Sequence, residues 1–352
     1  MGADRRKIAI VLFNLGGPDS PAAVRPFLFN LFNDPAIISA PGPVRWLLAQ
    51  FISRRRAPVA RGIYARLGGA SPLLANTRAQ AAALEKALEK AGEVRCFIAM
   101  RYWHPFAAET ARDVAAFAPD EIVLLPLYPQ FAAATTGSSL ADWSRAAARA
   151  GITARQRAIC CYPEDEGFIE TVAGLAAQAW QRARKHGEPR ILFSAHGLPK
   201  REIERGDPYQ DHVERSARAV AAALKGLLGT DPDWLVSYQS RVGPLEWLGP
   251  YTDAEIRRAG EEGRPLVVVP IAFVSEHSET LVELDIEYRE LAHKLGVPGY
   301  ERVGTADASR PFIEGLARLT MRALADDAEI CGGTGGRLCP PEFGRCPCAI
   351  LN

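Results

Sequence analysis

His196 has the position of a proton-transferring side chain. It follows an apolar run and precedes Gly197 and Pro199, so the imidazole is expected at the end of a strand, beside a turn. A histidine there titrates near neutral pH, where it can accept protons or bind a metal ion. The alternative is a histidine that only caps the strand through hydrogen bonds. Polar residues also follow five other apolar runs, which favours the chemical interpretation.

A second group is a series of glutamates with spacings of 3, 4, 4 and 3 residues: Glu276, Glu279, Glu283, Glu287 and Glu290. On an α-helix, this spacing puts the carboxylates in one narrow stripe. Such a stripe is most often a solvated surface, but apolar residues flank this one on both sides, which predicts a largely buried helix. Buried like charges repel unless protons or cations neutralise them. The series therefore predicts a path for protons or for a divalent cation, with His277 as a nearby nitrogen ligand.

The chain has seven cysteines, and four of them fall near its C-terminal end: Cys331, Cys339, Cys346 and Cys348. In a reducing compartment, clustered cysteines indicate metal ligation more than disulfides. The surrounding prolines and glycines predict an irregular loop in which thiolates converge. Four thiolates suit zinc or a [2Fe–2S] cluster, and the fourth ligand is Cys331, Cys160 or Cys161. A tail of free thiols is the remaining alternative.

These side chains need a scaffold, and the sequence predicts an α/β fold with two Rossmann-like parallel half-sheets and a cleft between them. Short β-branched runs alternate with helical segments, which is typical of parallel strands covered by helices on both faces. The predicted strands are residues 8–15, 94–101, 122–127, 190–194, 234–238 and 266–273, and the clearest helices are residues 77–91, 168–186 and 211–228. Because ligands bind beyond the carboxyl ends of parallel strands, the cleft is expected to collect the polar residues.

Composition excludes several classes of protein. The 42 basic and 41 acidic residues give a net charge of +1, which argues against a broad nucleic-acid surface. The longest apolar stretch, residues 266–274, is far shorter than the ~20 residues that span a bilayer, and no signal-peptide pattern occurs, so a cytoplasmic protein is expected. Gly16-Gly17-Pro18 lacks the spacing of a phosphate loop, and no G-x-S-x-G motif supplies a hydrolase nucleophile.

Residues 41–57 combine apolar bulk with clustered charge. Trp46, Leu47 and Phe51 are among the apolar residues, and Arg54-Arg55-Arg56 closes the segment. This pattern suits a helix that lies on an anionic membrane surface or admits an apolar ligand. An ordinary core helix that ends in cations is equally compatible with the pattern.

Ten motifs occur in order along roughly residues 7–319: 15–18 (LGGP), 67–72 (LGGASP), 100–105 (MRYWHP), 128–130 (YPQ), 135–139 (TTGSS), 194–199 (SAHGLP), 206–209 (GDPY), 238–244 (YQSRVGP), 247–250 (WLGP) and 275–285 (SEHSETLVELD). Together they resemble the ferrochelatases, a family of haem-biosynthetic lyases. The resemblance implies insertion of Fe²⁺ into protoporphyrin IX to form protohaem, with porphyrin and ferrous iron as substrates and no nucleic-acid partner. A chelatase for coproporphyrin or another tetrapyrrole, and a tetrapyrrole carrier without chemistry, are the alternatives.

The resemblance also implies roles for individual residues. The family's catalytic histidine corresponds to His196 and the opposing acid to Glu279, and Glu283 and Glu287 continue the set of metal ligands. The residues implied around the macrocycle are Leu15, Arg66, Ser71, Arg101, Tyr102, Tyr128 and Trp247. Residues 41–57 take the role of a lip in peripheral contact with the inner membrane.

The last implications concern the C-terminal cysteines and the domain boundaries. The tail spacing resembles that of bacterial members with a [2Fe–2S] cluster, which implies the ligands Cys339, Cys346, Cys348 and an internal cysteine, Cys161 or Cys160. Animal members have a cysteine ligand just after the Tyr-Pro-Gln strand, where residues 131–134 supply none. The expected division is an N-terminal domain, 1–160, a C-terminal domain, 161–319, and an extension, 320–352.

Overall fold

The computed structural model describes residues 6–241, 243, 245–333 and 335–349. Val242 and Pro244, which belong to the motif at 238–244, lie outside the described residues. The strands of the described part are β1 Lys7–Asn14, β2 Glu93–Met100, β3 Glu121–Pro126, β4 Arg155–Cys161, β5 Arg190–His196, β6 Asp233–Gln239, β7 Leu266–Pro270, β8 Tyr300–Arg302 and β9 Ile330–Gly332.

Helices connect these strands and cover both sheets. The α-helices are α1 Val24–Phe32, α2 Gly42–Ala65, α3 Leu73–Ala87, α4 Ala107–Phe117, α5 Ser138–Arg149, α6 Glu166–Ala183, α7 Lys200–Glu204, α8 Tyr209–Leu228, α9 Thr252–Glu261, α10 Tyr288–Lys294 and α11 Arg310–Ala325. Two segments, Ala133–Gly137 and Glu279–Glu287, are π-helical, and Arg184–His186 and Pro347–Ala349 form 3₁₀ turns.

The strands form two parallel sheets, so the predicted fold class is confirmed. The first sheet has the order β2-β1-β3-β4-β9, and the second has the order β6-β5-β7-β8. In β1 every residue after Lys7 is buried, because helices cover both faces of the sheet, and this explains the continuous apolar run. The six predicted strands are all present. The sequence did not predict β4, β8 or β9.

One hydrophobic core joins the two sheets. Side chains of β1 and β3 from the first sheet and of β5 and β7 from the second belong to the same buried cluster, together with α6, α8 and α11. The helices α6 and α11 approach closely at Gly167, where a Cβ atom would overlap the carbonyl group of Pro311. Glycine is therefore required at this crossing. The shared core holds the two sheets against each other.

Helix α2 differs from the expected lip. It begins at Gly42 and ends at Ala65, so Arg54-Arg55-Arg56 lies inside the helix, and the alternative of a core helix that ends in these cations is wrong. Its buried face is narrow, being formed by Ala49, Ser53, Ala57 and Tyr64. These residues recur every four or seven positions, which keeps one face on the protein while the remainder faces solvent. The helix continues past Pro58 and brings its last turn to the cleft.

Candidate active site

His196 is the last residue of β5, and its imidazole is oriented by its neighbours. The Nδ1 atom lies 2.6 Å from the carbonyl oxygen of Gly197, so Nδ1 donates the proton and Nε2 is the basic nitrogen. The hydroxyl of Tyr209 donates to the carbonyl oxygen of His196 over 3.0 Å. The ring centroid of Trp247 lies 6.5 Å from that of the imidazole. A base with a defined basic nitrogen thus stands at the carboxyl end of a strand.

Glu279 faces this base. Its Oε1 atom lies 3.8 Å from Nε2 of His196, and its Oε2 atom lies 3.9 Å from Nε2 of His277. The side chains of His196 and Glu279 are 40% and 25% exposed, so the pair is reached by solvent without being immersed in it. Burial opposes ionisation of Glu279, but attraction to a charged His196 and the interactions with His277 outweigh it and lower the pKa to about 2. Glu279 is therefore an anion at neutral pH.

The acidic segment is a π-helix, and the predicted α-helix is wrong over Glu279–Glu287. The N–H group of Tyr288 bonds to the carbonyl of Glu283, five residues earlier, and α-helical geometry follows in α10. An α turn contains slightly fewer than four residues and a π turn slightly more than four. Residues four positions apart are therefore about one turn apart in either helix and lie close to one line. Glu279, Glu283 and Glu287 therefore remain a column, and π turns often occur at functional sites.

The two outer glutamates of the predicted stripe lie outside this acidic column, which consists of Glu279, Glu283 and Glu287. Glu276 pairs with Arg302 at 2.5 Å, and Glu290 is an exposed residue of α10. Glu287 marks the solvent end of the column, since its side chain is 47% exposed and lies 3.8 Å from Arg66. The column therefore runs from an exposed carboxylate to the carboxylate beside His196.

Ser240 holds the middle carboxylate of the column. Its N–H donates to Oε1 of Glu283 over 3.0 Å, its hydroxyl donates to Oε2, and the hydroxyl of Tyr288 donates to Oε1 over 3.1 Å. Ser240 has a φ of 62°, a conformation that costs a non-glycine residue about 1 kcal/mol or more and is enriched at functional sites. The sequence indicated no specific role for Ser240; its only signal was its place just after β6.

The pKa values of the two inner acids move in opposite directions. Burial, followed by the negative charge of Glu279, raises the pKa of Glu283. One acid is thus held as an anion and its neighbour retains a proton more readily, which is the arrangement that separates acid and base roles. Glu283 can therefore hold a proton beside the anionic Glu279, next to His196.

Elements of the first domain reach this column. Tyr64, in the last turn of α2, lies near enough to interact electrostatically with Ser278 and Glu279, and burial raises the pKa of Tyr64 to about 12. Asn76 and Gln80 of α3 donate to the backbone carbonyls of Glu276 and Val274 over 3.2 and 3.1 Å. These contacts fix the loop that precedes the π-helix. The sequence carried no signal for them, because the partners are far apart along the chain.

Two of the implied macrocycle residues share a buried carboxylate. Arg101 lies 2.7 Å from Oδ2 of Asp34, and the hydroxyl of Tyr102 donates to the same oxygen over 2.9 Å. Tyr102 is fully buried, and the hydroxyl of Ser138 donates to the same Asp34 oxygen over 2.5 Å. The structure thus brings Arg101 and Tyr102 together, with Tyr102 packed inside the first domain. The sequence did not indicate Asp34.

The other implied macrocycle residues occupy both sides of the cleft. Trp247 lies beside His196, and Arg66 lies beside the exposed end of the acidic column. Leu15 is half-buried against the aromatic cluster that contains Tyr102, and Ser71 packs on Gly17, where a Cβ atom would overlap its side chain. The hydroxyl of Tyr128 is buried, which raises its pKa.

The amino-acid sequence of this chain matches a family of known proteins. The profile of the ferrochelatase family matches residues 7–324. The chain belongs to the ferrochelatase family. The ferrochelatase of Phenylobacterium zucineum is 56% identical over 345 residues, covering 97% of this chain and 98% of that protein. The ferrochelatase of Caulobacter vibrioides is 52% identical over 346 residues, again covering 97% and 98%.

Solved chelatase structures share the fold of this ferrochelatase family member. SirB from Bacillus subtilis, determined with Fe³⁺, matches with a TM-score of 0.51 at 12% identity and covers 91% of this chain and 96% of SirB. The sirohydrochlorin chelatase SirB from Bacillus subtilis subspecies spizizenii, in complex with cobalt, matches with a TM-score of 0.50 at 11% identity, with coverages of 92% and 97%. At these identities the similarity concerns the fold alone.

A second group of reactive side chains lies at the far end of the first sheet. Five buried cysteines pack together with Phe131, and we call them the thiol cluster: Cys160, Cys161, Cys339, Cys346 and Cys348. The sulfur of Cys160 lies 3.5 Å from that of Cys161 and 3.6 Å from that of Cys348. Interactions with Cys339 and Cys348 lower the pKa of Cys346. The lowered pKa favours the thiolate, which is the form that binds metals.

A β-bulge explains why two adjacent cysteines face the same way. Neighbouring residues of a regular strand point to opposite faces, but the pairing of β4 with β9 shifts register between Ile159 and Cys161. The shift lets both Cys160 and Cys161 contact the C-terminal cysteines. Cys331 lies on β9 and packs in the main core instead.

The converging donors do not form a ready coordination sphere. Across the positions that the structure describes, no group of three or more histidine, cysteine, aspartate or glutamate side chains has the geometry to hold a metal ion. In the thiol cluster, the sulfur atoms make hydrogen-bonding contacts with one another. In the acidic column, the carboxylate of Glu283 already accepts hydrogen bonds from Ser240 and Tyr288.

Helix α2 presents the main apolar surface of this ferrochelatase family member. Its exposed apolar residues form what we call the α2 patch: Val44, Trp46, Leu47, Leu48, Phe51 and Val59. Arg54, Arg55 and Arg56 are exposed on the same helix. No helix among residues 6–241, 243, 245–333 and 335–349 has the length and apolar character to cross a bilayer.

Proposed function

We propose that this chain inserts Fe²⁺ into protoporphyrin IX, with release of two protons for each ion inserted. The observation that carries the proposal is the 3.8 Å approach between Nε2 of His196 and Oε1 of Glu279 at the carboxyl end of β5. Membership of the ferrochelatase family supports the substrates. Metal insertion requires a base at the ring nitrogens and a route for the cations, and His196 and the acidic column are suited to these two roles.

His196 accepts the pyrrole protons. Because Nδ1 donates to the carbonyl oxygen of Gly197, the lone pair of neutral imidazole is on Nε2. A proton taken up there makes an imidazolium that the anionic Glu279 stabilises. Glu283 and Glu287 continue the acidic column to solvent, where protons leave and Fe²⁺ enters. The proposed metal ligands are Glu279, Glu283, Glu287 and, while its Nε2 is unprotonated, His196; the same nitrogen accepts one pyrrole proton at a time after the metal has moved on. A metal held this way is transferred onward, since no closed cage retains it.

The macrocycle is proposed to lie between the two sides of the cleft. Leu15, Arg66, Ser71, Arg101 and Tyr128 are proposed to line the side of the first sheet, with the buried Tyr102 behind them, whereas Trp247 stands next to His196. A flat porphyrin shields its nitrogen lone pairs, so bending the ring exposes them to the incoming ion. Apolar and cationic contacts at the periphery of the ring supply the binding energy for this distortion.

Offered separately to the purified protein with Fe²⁺ under anaerobic conditions, protoporphyrin IX is expected to be metallated at least about tenfold more efficiently than coproporphyrin. Each additional propionate of coproporphyrin needs a cationic or hydrogen-bonding partner. The measurement is kcat/KM, followed by loss of porphyrin fluorescence. Faster turnover of coproporphyrin would reverse the substrate assignment. Tight binding of both porphyrins without metallation above the uncatalysed rate would make the protein a carrier and refute the proposed enzyme.

Replacing Glu283 with glutamine is expected to lower iron insertion roughly tenfold or more, since a proton-exchanging group contributes about that much or more. The same variant gains stability relative to the wild type as pH rises. The pKa of Glu283 is raised above 4.5 in the folded state, so between pH 4.5 and the raised pKa the folded protein keeps a proton that the unfolded chain has lost. As the pH rises through this range, Glu283 therefore lowers the free energy of unfolding of the wild type, and the glutamine variant lacks this loss. The stability difference is measured by urea unfolding at pH 4 and pH 7.

Glu290→Gln is the matched control, because Glu290 is exposed on α10 just beyond the column. It is expected to leave iron insertion within about twofold of the wild type. If Glu283→Gln inserts iron at the wild-type rate, Glu283 has no part in moving cations. If its stability difference is the same at both pH values, the raised pKa is refuted.

We also propose that the thiol cluster holds a [2Fe–2S] cluster through Cys339, Cys346, Cys348 and either Cys160 or Cys161. The residues fit such a group chemically, because five buried cysteines converge in an apolar pocket. When bound, the cluster supplies a one-electron couple. Its ligands would come from β4 and the C-terminal extension, which it would tie together.

The α2 patch is proposed to dock on the surface of an anionic membrane, with the protein on the cytoplasmic side of the inner membrane. Apolar side chains beside exposed arginines suit both the acyl boundary and anionic headgroups. Leu47→Glu/Phe51→Glu is expected to weaken binding to vesicles of anionic phospholipid by at least about tenfold in a sedimentation assay, as two exposed apolar anchors are lost.

Leu227→Glu, which alters an equally exposed leucine on α8, is the control and should bind the vesicles as the wild type does. Equal sedimentation of the α2 double variant and the control would show that the α2 patch does not mediate docking. Binding of the wild type to neutral vesicles as tightly as to anionic ones would leave the arginines without a role.

The domain division at 1–160, 161–319 and 320–352 remains our proposal. The two sheets support it in outline, because β1 to β4 belong to the first and β5 to β8 to the second. The exact boundaries fall inside elements, since β4 ends at Cys161 and α11 extends from Arg310 to Ala325. The extension supplies β9 to the first sheet and three members of the thiol cluster.

A further inference from the structure

His212 is a fully buried histidine that takes no part in the proton transfer described above. It belongs to α8, and its two nitrogens have different partners. Nδ1 accepts the N–H of Phe131 over 3.1 Å, and Nε2 lies 3.2 Å from the sulfur of Cys339. A backbone N–H only donates, so Nδ1 is unprotonated and the neutral ring has its proton on Nε2. That proton points at the sulfur of Cys339.

We propose that His212 is a positioning residue for the [2Fe–2S] cluster, donating its Nε2–H to the Cys339 sulfur and thereby raising the reduction potential of the cluster. This inference rests on the proposed cluster. Reduction adds one negative charge, part of which falls on the ligand sulfurs. A hydrogen-bond donor at such a sulfur stabilises the reduced state more than the oxidised state.

The surroundings of His212 make this donor effective. The ring is excluded from water, and the thiol cluster beside it is buried as well, so the hydrogen bond acts in a medium of low polarity. Phe131, in the loop after β3, orients the imidazole: its N–H donates to Nδ1, and its side chain packs on the cysteines. The imidazole therefore cannot rotate to another partner without losing a buried hydrogen bond.

The same turn of α8 also contacts the active site. Tyr209 precedes His212 by three residues, which puts both side chains on one side of the helix, and its hydroxyl donates to the carbonyl oxygen of His196. The donor to Cys339 is thus placed by a helical turn that is itself anchored at both ends. This rigidity suits a residue that tunes a redox centre.

Two substitutions separate the functions of the ring nitrogens. His212→Asn retains an acceptor for the N–H of Phe131 but is too short to reach the sulfur. His212→Gln has an amide N–H near the position of Nε2. Full-length holoprotein of each variant is titrated with dithionite and redox mediators, and the visible absorbance of the cluster is followed. Iron and sulfide contents and circular dichroism are measured on the same samples.

For His212→Asn we expect the reduced-to-oxidised ratio at a fixed potential to fall about tenfold, which is a shift of about 59 mV to lower potential for a one-electron couple. His212→Gln is expected to recover most of this shift. A wild-type potential in His212→Asn, with iron and sulfide retained, would overturn the role of His212 and leave the cluster proposal standing. Wild-type protein without iron and sulfide would refute both.

If His212→Asn loses the cluster and His212→Gln keeps it, the reduction potential of His212→Gln tests the proposed role of His212. A full complement of iron and sulfide with a near-wild-type potential in that variant supports the donor role. Loss from both variants would show that His212 only maintains the pocket, which overturns the proposed tuning.

Discussion

Replacement of His196 by alanine is expected to lower the rate of porphyrin metallation by roughly 10²- to 10⁴-fold, the range that a positioned general base contributes. The variant should fold, because His196 is half-buried at a strand end and the contacts of its backbone with Tyr209 remain. The rate is measured with protoporphyrin and Fe²⁺ or Zn²⁺. Added imidazole is expected to restore part of it, since a free base can enter the space that the side chain leaves.

His293→Ala provides the comparison for a histidine outside the cleft, because His293 is exposed on α10. It is expected to retain wild-type turnover. Turnover by His196→Ala within twofold of the wild type, with porphyrin still bound, would remove this residue from the mechanism. A slow variant with an altered circular dichroism spectrum would indicate a defect of folding instead.

The second large effect is expected from the thiol cluster. Cys346→Ser should remove the iron, the acid-labile sulfide and the visible absorbance, and lower the midpoint of thermal unfolding by about 5 °C or more. Serine keeps the size of the side chain but is a poor ligand for iron–sulfur clusters. Cys346 packs with Cys339 and Cys348 in the thiol cluster, so its loss removes one of the three proposed C-terminal ligands.

Cys331→Ser serves as the control, since Cys331 packs in the main core and not in the thiol cluster. It should retain iron and sulfide. Comparison of Cys160→Ser with Cys161→Ser then identifies the internal ligand, as only one of the two is expected to lose the cluster. A colourless wild-type preparation that contains zinc after anaerobic purification would contradict the iron–sulfur assignment.

Much of the fold is predictable because buried parallel strands have a simple signature. The apolar run of β1 and its counterparts in β5 and β7 identify the sheets directly. β4 could not be predicted from an apolar run, because its first residues are polar. One of them, Arg157, is buried because it pairs with Glu121 of β3. β8 and β9 have three residues each, too few for periodicity to emerge.

The site was predictable in part for a different reason. His196 and the acidic column are contiguous motifs, so their types and spacing are visible locally. The spacing of the glutamates fits an α-helix and a π-helix equally well, which hid the π turn. Glu276 leaves the column because Arg302, distant in sequence, pairs with it. The contacts of Ser240 and His212 likewise depend on the tertiary fold alone.

The pairing of β9 with β4 has a consequence for biosynthesis. Arg155 and Asp327, which flank this pairing, are 172 residues apart, and the whole second sheet lies between them. A ribosome therefore releases the complete second domain before the edge of β4 finds its neighbour. Until then, Cys160 and Cys161 lack the C-terminal cysteines that pack on them in the folded chain. The proposed cluster can therefore be loaded only after Cys348 has left the ribosome.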